Sequence, residues 1–331
     1  MKLRITEAAS RYEAHCTARG LEPSTIKGQQ STLRGFVAVV GDLQLDSITP
    51  EHIDRVFNTY TWQPSTRNNK IGQLRAFFSW CRGARLMNGQ SNPMIGWRQR
   101  AVPEKFQLRI PHTEWSRVFD ACIHPQERIV VATGLYLFLR ASEQQALTIG
   151  NLDLNSDTIH VWRVKTKRWD ALPISLELGG ELRRWLSWLA ESNELDTEHH
   201  LICARNKDMA HDRNHRWVAG SGTMNLNRPV HKPHLIVQRV LKRAGYDVAP
   251  QTGEHTLRRS GARAYFDSLV DQGYDGALRQ VQALLDHRTT AQTETYLGLS
   301  LDKRKLHAEL AGKPMFPVAE NAAVIPIRKG L

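Results

Sequence analysis

Residues 284–297 read "LLDHRTTAQTETYL", and the reading of this polar, Thr-rich stretch decides what fold has to surround it. Tyr296 stands nine positions after His287. Of the fourteen histidines in the chain, only His287 has a tyrosine at that distance. A lone tyrosine is ordinary core filler. A tyrosine at a selective distance from a histidine, in a basic chain, is also a candidate nucleophile. The upstream sequence has to separate the two readings.

At 331 residues the chain exceeds what most single cores support, so two domains are expected. Apolar residues make up 41% and charged residues 24%, the balance of a soluble globular protein. The longest apolar run, "IVVATGLYLFL" at 129–139, is well short of the roughly 20 residues of a bilayer span. It reads as a buried helix leading directly to Arg140. The opening "MKLRITEAASRYEAH" has no apolar core of a secretory signal. Cys16, Cys81, Cys122 and Cys203 lie far apart, which points to a reducing, cytoplasmic setting rather than disulfides or a thiolate zinc site. The net charge of +12 favours a polyanionic partner. Residues 1–100 carry 14 Lys and Arg against 7 Asp and Glu, so the first third is the more strongly basic. A basic soluble protein without a nucleic-acid partner is the competing reading of composition alone.

Four helical patterns fill residues 1–100. One begins at Thr6, a second has Ser24 as its cap, and a third has Thr49 as cap with Pro50 at the first helical position. The fourth is "STRNNKIGQLRAFFSWC". A charged, Pro-containing linker spans 101–112, and Thr113 caps the next helix. "TIHVWRV" (158–164) and "DALPI" (170–174) are strand-like and flank the loop "KTKRW". Helices are expected at about 177–191, 233–244, 255–268, 276–285 and 301–311. The fold class is therefore mainly α with a small antiparallel β-sheet, an α+β domain over 113–312. The tail, 313–331, holds three prolines and little periodicity, and is expected to be flexible.

No G-x-x-x-x-G-K-[ST] is present, so nothing supports a P-loop. Histidines crowd residues 199–234, and His211 and His215 have metal-like spacing. No carboxylate or cysteine is placed convincingly with them as a partner, and neither a metal nor a cofactor is expected. His255 and Arg258 sit at i and i+3 in the first turn of a helix, where both can reach one phosphate. That motif is weak by itself, because His52/Arg55 and His160/Arg163 match it too. Arg140 follows a buried run and needs an anionic partner. Glu143, three residues on, is the simplest one. Lys165 lies in the hairpin loop.

The ordered set Arg140, Lys165, His255, Arg258, His287 and Tyr296 resembles the active-site series of the tyrosine recombinases, or phage integrases. "GLYLFLRASEQQALTIGNLDL", "VWRVKTKRWDALPI", "EHTLRRSGA" and "LLDHRTTAQTETYL" resemble that family's boxes and lysine hairpin. The first hundred residues resemble its helical core-binding domain. The likeness spans roughly residues 5–310. It implies Tyr296 as nucleophile, Arg140 and Arg258 as a phosphate clamp, and Lys165 as general acid. His255 and His287 are implied as helpers at the phosphoryl oxygens, with Glu143 in support. The implied partner is double-stranded DNA with paired half-sites, cut through a 3′-phosphotyrosyl link by a tetramer that passes a C-terminal segment between neighbours. Accessory DNA-bending proteins are a possible addition; a membrane is not.

Two features depart from the simple family pattern. Residues 204–232 make a connection longer than the usual few residues, and no small domain precedes the first helices. On the fourth helix, Arg67, Asn68, Lys70 and Arg75 are candidates for DNA contact, against the reading of a solvated helix face. The expected function is a site-specific recombinase, leaning to the integrase of a phage or other mobile element. The alternatives are a Xer-like resolver of replicon dimers, a silent DNA-binding protein and a type IB topoisomerase.

Overall fold

The computed structural model describes residues 3–87, 91–102, 107–206, 209–211, 217–219, 223–249 and 252–299. The chain divides into two compact units, Met1–Phe106 and Gln107–Leu331.

The first unit is four helices: α1 (Ile5–Ala18), α2 (Pro23–Val40), α3 (Pro50–Thr59) and α4 (Pro64–Gly83). Three of them start on proline, whose fixed φ suits the first helical position and whose missing N–H is not needed there. Two starts differ from those expected. The second helix begins at Pro23, ahead of Ser24, and α1 begins at Ile5, ahead of Thr6. The Thr6 side chain instead bonds to Asp42 at 2.9 Å. Thr49 and His52 form the cap expected for α3. The apolar stripes of all four helices meet in one core that includes Ile5, Phe36, Ile53, Ile71, Phe77 and Phe78. Each fully buried side chain of this size contributes roughly 1.5–3 kcal/mol.

The second unit begins with a short turn at His112–Glu114, then α5 (Trp115–Asp120) and α6 (Pro125–Tyr136). Thr113 lies within that turn, so it does not cap the helix. The sides of α6 are apolar nearly all round, and it forms the middle of the core, packed on α8 (Leu176–Ala190), α9 (Pro233–Arg243) and α10 (Glu254–Leu269). The run 129–139 is not one helix leading to Arg140. The helix stops at Tyr136, Phe138 takes a left-handed φ of 51°, and Arg140 is extended at the start of α7 (Ala141–Ala146). A non-glycine residue in that region costs about 1–3 kcal/mol, and here the turn redirects Arg140 out of the core.

A three-stranded antiparallel sheet follows, in the order β1 (Leu152–Asp153), β2 (Thr158–Arg163), β3 (Arg168–Pro173). The register pairs Arg163 with Arg168, so the loop is residues 164–167 and Arg168 and Trp169 belong to the strand. The long 204–232 connection contains strands: β4 (Cys203–Arg205) pairs with β7 (Met224–Pro229), and β5 (Met209–His211) pairs with β6 (Trp217–Ala219). β4, β5 and β6 have three residues each, which leaves little alternation to read. The unit closes with α10, α11 (Tyr274–Leu285) and α12 (Thr290–Leu297). The helix expected at 301–311 and the 313–331 tail lie outside the described residues. Among the described residues, no helix is long and apolar enough to cross a membrane.

Candidate active site

Glu143 is the centre from which the site is built. It sits in the first turn of α7, fully buried, and its Oε2 accepts the Arg140 backbone N–H at 2.8 Å. Three guanidinium groups surround this one carboxylate. Arg140 Nη1 lies 2.6 Å from Oε1, Arg163 Nη1 3.3 Å from Oε2, and Arg258 Nη1 3.5 Å from Oε2. Buried cations need partners to offset desolvation, which explains the convergence. Asp170 Oδ2 also accepts from Arg163 Nε at 3.0 Å.

Arg140 and Arg258 come from distant parts of the sequence yet converge on one atom. Arg140 Nη2 donates to the Leu285 carbonyl at 3.3 Å, and Arg258 Nη2 donates to the same oxygen at 2.6 Å. Leu285 ends α11, where unpaired carbonyls carry the negative end of the helix dipole. Arg258 Nη1 additionally donates to the Phe138 carbonyl, in the turn that redirects Arg140. The Arg258 side chain is almost fully enclosed, and desolvation presses its pKa down to about 10, so it stays protonated at neutral pH. Arg140 keeps 19% of its side-chain surface exposed.

Asp286 follows with a left-handed φ of 52°, which turns the chain so that His287 faces the arginines. Asp286 also fastens the hairpin. Thr166 Oγ1 donates to its Oδ2 at 2.7 Å and Arg168 to its Oδ1 at 3.0 Å. Desolvation alone would raise this carboxyl; the two donors outweigh it and hold the pKa below the usual range. Lys165, exposed in the pinned turn, therefore lies on the His287 side of the cleft.

Desolvation, then the charges of Arg258, Arg140 and Lys165, push His287 down to about 4, so its ring is neutral at pH 7. Its Nδ1 lies 3.1 Å from Thr293 Oγ1. His255 shifts in the same direction, by desolvation and then by Arg258, Arg259 and Arg140. It keeps a solvent-facing edge in the first turn of α10, which leaves the cations as the steadier cause.

The Thr-rich stretch is helical. Thr289 caps α12 by accepting from Gln292 N at 3.2 Å, and Tyr296 sits in the last turn. The Tyr296 ring meets His287 edge-on, centroids 5.2 Å apart at 83°. Arg258 and Arg259 lie 6.0 Å and 5.9 Å from the ring centroid. The phenol oxygen is buried and makes no hydrogen bond of good geometry, although the Arg258 guanidinium lies alongside. Burial raises its pKa; Arg258, Arg259 and Arg140 oppose the rise without cancelling it.

All six residues singled out in the sequence, with Glu143, thus border one cleft. Sequence reasoning missed Arg163 as a member. A signal was present: alternation in "TIHVWR" puts Arg163 on the same inward face as Ile159 and Val161. Asp286, Thr293 and Arg259 were missed as well, with no comparable pattern. The four α4 candidates belong to the other unit and are engaged within it. Arg67 stacks on Phe57 and Trp97, and Asn68 exchanges hydrogen bonds with the Arg100 backbone at 2.8 and 2.9 Å. Lys70 donates to Thr32 Oγ1 at 2.8 Å, and Arg75 donates to the Trp97 carbonyl.

Fold and site together define a helical α+β protein whose second unit gathers arginines and histidines beside a tyrosine. Comparison with known proteins agrees. Residues 109–302 match the phage integrase family. The tyrosine recombinase XerA of Thermococcus kodakarensis is 24% identical over 318 residues, covering 93% of this chain and 98% of the relative. XerD of Ralstonia nicotianae is 24% identical over 251 residues, 74% of this chain and 73% of its own. In structure, a lambda integrase dimer bound to a COC′ core site superposes with a TM-score of 0.67 at 16% identity, over 89% of this chain and 77% of that one. XerH bound to palindromic difH gives 0.64 at 17% identity, over 92% and 85%. The family match spans more than half of the sequence, and the chain belongs to the phage integrase family of tyrosine-type site-specific recombinases.

Proposed function

We propose that the protein cuts and rejoins double-stranded DNA at specific sites through Tyr296. The observation that carries this reading is the convergence of Arg140 and Arg258 on the Leu285 carbonyl, next to the Tyr296 ring. Two forks aimed at one oxygen are placed to hold one phosphodiester. The phenol gives its proton to water, its oxygen attacks phosphorus, the bond to the 5′ oxygen breaks, and a 3′-phosphotyrosyl link forms. Lys165 supplies the proton to the departing oxygen. His287 is neutral, and in the tautomer whose Nδ1 accepts from the Thr293 hydroxyl its other nitrogen donates to a phosphoryl oxygen. His255 assists proton transfer at the solvent-facing side, and Glu143 orients the arginines. Loss of either clamp arginine is expected to slow cleavage about 10²–10³-fold.

Since one phosphodiester replaces another, the exchange is close to energy-neutral. Paired half-sites and a homotetramer are part of this reading, supported by the lambda integrase tetramer bound to a Holliday junction, which shares the fold at a TM-score of 0.65. We further assign the chain to a phage or other mobile element, on the strength of the long strand-bearing connection 204–232. The near full-length alignment with XerA favours a second reading, resolution of replicon dimers.

One experiment separates these. Wild-type protein and Tyr296→Phe are mixed with sheared genomic DNA of the source cell and quenched with SDS, and DNA bound covalently is sequenced from its ends. Adducts from wild type alone at an element's junction support the integrase; at one replicon site, the resolver. Scattered adducts indicate a topoisomerase. Adducts with Tyr296→Phe, or none from wild type, sink the proposal.

A further inference from the structure

Arg259 follows the clamp arginine and has a different environment. It is 8% exposed, its Nε is buried without a hydrogen-bond partner, and its Nη1 donates to the neutral side chain of Gln107. Among the described residues no carboxylate pairs with it, whereas Arg140, Arg163 and Arg258 share Glu143. A buried cation without an anion is costly, several kcal/mol in ordinary cases. What lies against it is the Tyr296 ring, its centroid 5.9 Å from Cζ, with a buried phenol oxygen that makes no hydrogen bond of good geometry. A permanently positive group thus lies over the ring of one able to become negative, and its charge, after that of Arg258, favours the ionised phenol.

We propose that Arg259 is the counter-ion of the Tyr296 phenolate, the group that makes ionisation of the nucleophile affordable inside the cleft. This rests on the reading of Tyr296 as nucleophile. When the phenol gives its proton to cleft water, the new O⁻ compensates the Arg259 charge, and Arg259 itself neither gains nor loses a proton. The phenolate then attacks phosphorus and the 5′ oxygen leaves with a proton from Lys165. Arg258 also lies beside the phenol and favours its ionised form, but it shares Glu143, so Arg259 is the neighbouring cation with no carboxylate of its own among the described residues. The other groups facing Tyr296 are Arg140 from the segment before α7 and His287 from the connection between α11 and α12. Arg109, ahead of α5, donates to the Tyr296 backbone carbonyl at 3.4 Å.

The test places 3-fluorotyrosine at position 296 of the full chain and follows its ¹⁹F resonance with pH. In Arg259→Gln the phenol pKa is expected to rise by about one unit or more, with single-turnover cleavage at pH 7 slowed at least about tenfold. Arg259→Lys, which keeps a cation, should fall between the two. If Arg259→Gln does not fold, Arg259→Met offers an apolar stem of similar length for the same titration. An unchanged phenol titration in the Gln or Met variant, or slower cleavage without it, overturns the inference. A covalent adduct formed by Tyr296→Phe would instead overturn the nucleophile assignment while leaving the titration interpretable.

Discussion

Glu143 offers one negative charge to three guanidinium groups, and Asp170 pairs only with Arg163, so the cluster keeps an excess of positive charge. Glu143→Gln removes the carboxylate that Arg140 and Arg258 share. The free protein should lose about 3–5 kcal/mol, the usual cost of breaking a buried ion pair. Added sulfate should raise the thermal midpoint of this variant more than that of wild type; equal shifts would contradict the role. Lys165 predicts a different pattern. Lys165→Ala should cleave poorly, yet recover on DNA whose scissile 5′ oxygen is replaced by sulfur, a leaving group that needs no proton. No recovery would remove Lys165 as the acid. The histidines set an acid limit. His287, held near 4, and His255, also lowered, bind fewer protons folded than unfolded. Stability is therefore full above the unfolded value of about 6.5 and declines as pH falls from there towards 4. Denaturant midpoints measured between pH 7 and pH 5 should fall, and His287→Gln should flatten the slope.

At the scale of elements, the contact of α6 with α10 holds Arg258 in place, and glycines permit it. A side chain at Gly261 would overlap the Leu135 carbonyl oxygen and approach Phe138 Cε1 to 2.7 Å; one at Gly134 would meet Leu257 at 2.9 Å. Gly261→Ala should cost at least about 1–3 kcal/mol by forcing the helices apart. It should also slow cleavage, because Arg258 would leave the Phe138 and Leu285 carbonyls. Chemical denaturation and a cleavage assay check the two effects together. The elements that sequence revealed best were those with caps and prolines: Thr49–Pro50 for α3, and the apolar faces of α2 and α4. The break at 137–140 was hidden because Phe138 adopts a glycine-like φ without being glycine, a choice set by packing rather than propensity. The short helix α12 was hidden by its threonines, which compete for backbone hydrogen bonds and lower helix propensity until a cap and a core contact fix them. The site itself was legible as a list of residues, since order and spacing survive in the chain. The sharing of Glu143 and the burial of Arg163 depend on which distant segments meet.

For the whole molecule, the prediction concerns assembly. Removing residues 300–331 should leave binding to a single site intact and abolish pairing of two sites, as read by gel retardation against a synapsis assay. Full recombination by the shortened chain would refute a role for that segment in the tetramer.

The first residues of the second unit are bonded to the helix pair that carries the tyrosine. Gln107 holds Arg259, Arg109 reaches the Tyr296 carbonyl, and Ile110 N–H donates to Ser260 Oγ at 2.8 Å. Mechanically, residues 107–110 are a tether tied at three points around Tyr296. Tension applied to the chain ahead of Gln107 loads those knots first, before it reaches the core. An optical trap pulling there should change the cutting rate at forces too small to unfold the unit.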